Sequence, residues 1–61
     1  MFELDLNKPA SIYFIGIGGI SMSGLAELLK TRGFTVSGSD RSASDITDHL
    51  NAIGIPVAIG Q

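Results

Sequence analysis

A chain of 61 residues holds one domain at most, and with 44% hydrophobic and 16% charged side chains it is too apolar for a disordered segment. It has no cysteine, which excludes disulfide staples and thiolate metal sites as supports for so small a core. A formal net charge of -2, with only four Lys plus Arg, removes the usual electrostatic basis for gripping nucleic acid or an anionic membrane surface, so neither is expected as a partner.

No apolar run approaches the roughly 18 residues that span a bilayer, and Met1-Phe2-Glu3-Leu4-Asp5 lacks the basic region of a secretory signal. A cytoplasmic location is the expectation. Met1 to Pro9 reads as an extended lead-in, because Pro9 disfavours helix at the residue before it. From Ser11 to Ile17, the residues Ile12, Tyr13, Phe14, Ile15 and Ile17 form a nearly unbroken β-favouring run, the pattern of a strand buried on both faces.

Glycine then dominates at Gly16, Gly18 and Gly19. A helical apolar period follows at Met22, Leu25, Leu28 and Leu29, a set expected to be core. Lys30 and Arg32 suit the negative end of that helix, and Gly33 is placed to end it in a left-handed conformation. Phe34-Thr35-Val36-Ser37 reads as a short second strand, broken by Gly38-Ser39-Asp40-Arg41-Ser42 as a loop.

Ser42 or Ser44 can cap a second helix, with Asp45 and Asp48 in its positive early turns and Ile46, Leu50 and Ile53 on one face. Gly54 closes it, and Ile55 to Ile59 is the third strand, with Pro56 near its start. Strand, helix, strand, helix, strand implies an α/β fold: a Rossmann-like βαβαβ unit with a parallel three-stranded sheet and right-handed crossovers. Such a sheet leaves an edge and much of its surface open, so the expectation is a fragment of a larger domain that continues after Gln61.

The segment Gly16-Ile17-Gly18-Gly19-Ile20-Ser21 lies between a strand and a helix, where a G-x-G-x-x-G/A pattern has physical meaning. Gly16 would allow the sharp turn, and Gly18 would let the backbone approach a diphosphate with no Cβ in the way. Ser21 stands where a small residue lets helix and strand pack closely, and its hydroxyl would either crowd that packing or add a donor near the phosphate. Helix N-terminal amides bind a diphosphate without lysine. Asp40, about 20 residues on, is where an acid accepts hydrogen bonds from a nucleotide ribose; the bland reading is that it caps a turn or helix.

Gly19 and Gly24 match the glycine spacing of a P-loop, but Leu25 and Ala26 replace its lysine and hydroxyl residue, so ATP is not held here. Arg41 is a ligand contact or a solvated arginine. His49 has no histidine or cysteine companion and reads as an exposed helix residue, so neither a metal site nor a catalytic group is expected.

Phe14-Ile15-Gly16-Ile17-Gly18-Gly19-Ile20-Ser21-Met22-Ser23-Gly24-Leu25-Ala26, followed by Val36-Ser37-Gly38-Ser39-Asp40, resembles the N-terminal domain of the Mur ligase family of peptidoglycan synthesis. The resemblance runs from about Ser11 to Gly60. It implies that residues 1–61 are part of a Rossmann-like domain that binds UDP-N-acetylmuramate, in an ATP-dependent ligase that adds L-alanine to that nucleotide. By position, Gly16, Gly18, Gly19, Ile20 and Ser21 would line the diphosphate, and Asp40, Arg41 and Ser42 would face the uridine.

ATP and Mg would belong to the full-length enzyme, whose ATP-binding and C-terminal domains this chain lacks. The fragment by itself would bind neither and would not be a catalyst. Ser21 stands where the family usually has glycine, and Gln61 where it often has histidine. Three alternatives stay open: the relative that attaches a tripeptide to the same nucleotide in wall recycling, an NAD-binding oxidoreductase domain that uses the same turn and acid, and a non-catalytic sensor or docking module.

Overall fold

In the computed structural model, residues 2–4 are described by their backbone and residues 10–60 in full. The rest of the Met1 to Pro9 lead-in lies outside the described residues, as does Gln61. The elements are β1 (Phe2–Leu4), β2 (Ser11–Ile15), α1 (Ile20–Thr31), β3 (Thr35–Asp40), α2 (Asp45–Ala52) and β4 (Val57–Ile59). Strands β2, β3 and β4 pair in parallel, as the alternation of strands and helices requires, with Phe14 opposite Gly38 and Asp40 opposite Ile59. The order of the sheet is β1-β2-β3-β4. The lead-in therefore supplies a fourth, antiparallel strand along the free edge of β2, Phe2 facing Phe14.

The two helices pack against each other, and the core gathers Ile12, Phe14, Ile17, Ala26, Val36, Leu50 and Ile55. Its buried strand residues alternate along β2, so Ile12 and Phe14 face the helices. Tyr13 and Ile15 keep 37% and 45% of their surface exposed on the other face. This corrects the expectation of a strand buried on both faces, since an unbroken apolar run does not reveal which face is covered.

Helix α1 turns Ser23 and Ala26 fully inward, with Met22 and Leu29 half-buried, while Leu25 and Leu28 are exposed. Small side chains at the contact let the helix lie close to the sheet, so the leucine spacing pointed to the wrong face. Both helices end alike. Phe34 N–H donates to Leu29 O and Gly33 N–H to Lys30 O; in α2, Ile55 N–H donates to Leu50 O and Gly54 N–H to Asn51 O. These are Schellman closures, with Gly33 and Gly54 at φ +94° and +92°.

Helix α2 begins at Ser44, whose hydroxyl accepts from Thr47 N–H while the Thr47 hydroxyl accepts from Ser44 N–H. Strand β3 extends through Gly38-Ser39-Asp40, which was expected to be loop. A Cβ on Gly38 would lie 2.7 Å from both Ile17 Cδ1 and Phe14 O, so the glycine is there for close packing. Strand β4 starts only at Val57, because Ile55 is spent on closing α2 and the Asn51 side chain caps the Val57 amide.

Candidate nucleotide-binding turn

Gly16, at φ +75°, reverses the chain as it leaves β2. Its amide and that of Ile17 both donate to Ser39 O, at 2.9 and 3.0 Å, which stitches the turn to β3. Ile17 drops its side chain fully into the core. Gly18 N–H donates to Asp40 Oδ2 at 2.8 Å, across 22 residues of sequence. Gly19, in extended conformation, is the N-cap of α1 and brings no side chain to cap it. Ile20 and Ser21 follow as its first two residues, where amides have no intrahelical acceptor.

No acid stands in the first turn of α1, whereas α2 carries Asp45, Asp48 and the Ser44 cap. The positive end of α1 is thus left open to an outside anion. Ile20 is 83% exposed and Ser21 is exposed as well, so the serine crowds nothing against the sheet. The close helix–sheet contact expected of Ser21 is made by Ser23 and Ala26. Ser23 also donates through its hydroxyl to Ile20 O at 3.0 Å.

Asp40 sits against the turn. A Cβ on Gly18 would lie 2.7 Å from its Oδ2 and 3.1 Å from Thr47 Cγ2. The space that a missing Cβ was expected to leave for a ligand is filled by an acid and by the first turn of α2. The Gly18 amide holds the Asp40 carboxyl below its ordinary value, partial burial opposes that shift, and the amides of Ser42 and Arg41 add to the lowering. Ser42 N–H lies at the limit of bonding, 3.5 Å from Asp40 Oδ1.

The fold thus brings Gly16, Gly18, Gly19 and Asp40 into one network, with Ile20 and Ser21 beside it and exposed Arg41 and Ser42 leaving the same strand end. Sequence reasoning missed Thr47 and the carbonyl of Ser39. The serine-to-threonine spacing of the α2 cap was a signal for the first, and a backbone acceptor leaves none. Gly19 and Gly24 belong to the cap and body of α1 and form no phosphate loop, which agrees with the missing lysine.

His49 is exposed and its Nε2 lies 3.3 Å from Glu27 Oε1 on the neighbouring helix. Among the described residues no group of three or more His, Cys, Asp or Glu could hold a metal, and no helix is long and apolar enough to cross a membrane.

A glycine turn between a parallel strand and a helix N-terminus, with an acid at the next strand end, is the arrangement of a Rossmann-like α/β unit. Residues 11–61 match the model described as Mur ligase family, catalytic domain, and the chain belongs to that family. It is 62% identical over its whole length to UDP-N-acetylmuramate--L-alanine ligase of Lachnoclostridium phytofermentans, covering 13% of that protein. It is 61% identical, again over its whole length and 13% of the relative, to the ligase of the same name from Agathobacter rectalis. The Neisseria gonorrhoeae ligase of that name is 50% identical over 88% of this chain and 12% of its own length.

The chain thus spans about an eighth of the curated relatives it matches. No solved structure matches it. These relatives favour the ligase reading and lend the oxidoreductase alternative no support.

Proposed function

We propose that this chain is the UDP-binding N-terminal portion of an ATP-dependent ligase that joins L-alanine to UDP-N-acetylmuramate. In this reading the diphosphate rests on the backbone of Gly16, Gly18, Gly19, Ile20 and Ser21. The uridine lies toward Asp40, Arg41 and Ser42. The observation that carries it is the N-terminus of α1, without a side-chain cap and with no acid in its first turn, behind a turn stitched to β3, in a chain whose relatives bear the name of that ligase.

The chemistry follows from amide formation on a carboxylate. In the full-length ligase ATP, with Mg, would pass its terminal phosphoryl group to the lactyl carboxylate with release of ADP, and the amine of alanine would then expel phosphate as the amide bond forms. The Gly19-to-Ala26 stretch does not suit that group, because Leu25 and Ala26 stand on a helix where a lysine and a hydroxyl are needed. The task of these residues is to hold one end of the nucleotide so that its distant carboxylate meets the activating site, a matter of positioning. The protein is read as cytoplasmic, with the remaining ligase domains as its partners.

The test is an NMR titration of the chain with UDP-N-acetylmuramate and, separately, with NADH, following the amides of Gly16 to Ser21 and of Asp40. Shifts confined to those amides with the UDP sugar alone are expected. A response to NADH alone would overturn the reading.

A further inference from the structure

In dinucleotide-binding folds, the acid at the end of the second parallel strand hydrogen-bonds the ribose 2′-hydroxyl, so its oxygens are directed at the ligand. Asp40 occupies that place in the sequence but not that posture. Its Oδ2 takes the Gly18 amide at 2.8 Å, and its Oδ1 turns toward the backbone of the β3–α2 connection at Ser42. The carboxylate fills the volume a Gly18 Cβ would need, with Thr47 Cγ2 closing the other side. Thr47 is itself fixed by its reciprocal bonds with Ser44.

We infer that Asp40 is a positioning residue that acts through Gly18, and that the site does not use it to recognise the ribose. This rests on the function proposed above and deepens it. Gly18 has two anchors in the network: its neighbours Gly16 and Ile17 hang from Ser39 O, and its own amide hangs from Asp40, one residue further along β3. With the Gly18 amide turned into the fold and the Gly19 amide reaching back to Gly16 O at 3.3 Å, the donors left to face a diphosphate are those of Ile20 and Ser21. Asp40 also places its negative charge on the inner side of the turn, bonded to a donor, away from the phosphates it would otherwise repel. Nucleoside recognition then falls to Arg41 and Ser42, which are exposed on the same rim.

The experiment uses the 61-residue chain as wild type, Asp40→Asn and Asp40→Ala. Amide exchange is measured without ligand, and affinity is measured for UDP and for its 2′-deoxy and 2′,3′-dideoxy analogues. Positioning predicts that the wild type binds the three nucleotides within about threefold of one another. It also predicts that Asn, which keeps an acceptor, retains most of the affinity, whereas Ala loses about tenfold. In the free chain, Ala should speed exchange at Gly18 and Gly19, the turn amides that hold a hydrogen bond.

The inference is overturned if the wild type loses about tenfold or more with the deoxy analogues, and Ala erases that discrimination without altering exchange in the free chain. A wild type that ignores UDP altogether would sink the proposed function. The exchange comparison would still decide on the positioning role, since unchanged exchange at Gly18 and Gly19 in Ala defeats it.

Discussion

Ile17 Cδ1 occupies the space that a Cβ on Gly38 would require: the two centres would be 2.7 Å apart, and Phe14 O would be equally close. One neighbour is a buried core side chain and the other is backbone, so neither yields easily. Gly38→Ala is therefore expected to cost about 3 kcal/mol, near the upper end for overpacking. In so short a chain this should show as loss of the cooperative thermal transition in circular dichroism. Normal melting of the variant would mean that Ile17 and Gly38 are not in this contact.

Gly24 and Gly18 make opposite predictions from the same substitution. Gly24 lies inside α1 with nothing within 4 Å of a built Cβ, so Gly24→Ala should stabilise the chain by about 0.8 kcal/mol and raise Tm by about 4 °C. Gly18→Ala places a methyl against Asp40 Oδ2 and should destabilise the chain by about 1–2 kcal/mol as the acid is pushed off. Urea denaturation of the pair, side by side, checks the contrast.

The Asp40 carboxyl titrates below its ordinary value because the Gly18 amide favours its charged form. A depressed folded-state value means that the stabilisation is complete above the unfolded value of about 4 and drains away as pH falls through the folded one. Wild type should therefore exceed Asp40→Asn in urea midpoint at pH 7, and the gap should shrink as the pH is lowered toward 3. A constant gap across that range would mean that the charge of Asp40 does not matter to folding.

Gly19 separates folding from binding. A Cβ there would meet only Gly16 O, at 3.7 Å, and its extended backbone suits any residue. Gly19→Ala should leave stability within about 1 kcal/mol. Its methyl would nonetheless stand at the mouth of the turn, and UDP affinity by titration calorimetry should fall about tenfold. Unchanged affinity would remove Gly19 from the site.

What was legible in the sequence was local. The glycine ends of both helices, a serine cap at Ser42 or Ser44 and the order of parallel strands follow from backbone conformation and side-chain period, which neighbouring residues carry. What was not legible depended on contacts far along the chain. Gly38-Ser39-Asp40 looks like a loop until Ile17 is seen lying on Gly38, and Leu25 outranks Ser23 as a core residue until the helix is seen resting on its small side chains. The Phe2–Leu4 pairing had no signal because an edge strand needs no pattern of its own. For the site, the glycines and the acid were recognisable, but the bond that joins Gly18 to Asp40 was not, since spacing alone does not say where a carboxylate points.

Apart from the Asp40 carboxylate on Gly18, the turn is held by main-chain groups, Gly16 and Ile17 on Ser39 O and Gly19 on Gly16 O, and it presents main-chain donors outward. A surface of that kind has almost no side-chain identity for mutation to erase. Within the turn itself, alanine scanning would pass silently over Ile20 and Ser21 and register only where glycine is lost. A molecule that gripped these amides alone would meet resistance only through changes that deform the backbone, and those changes would endanger the fold before they freed the site.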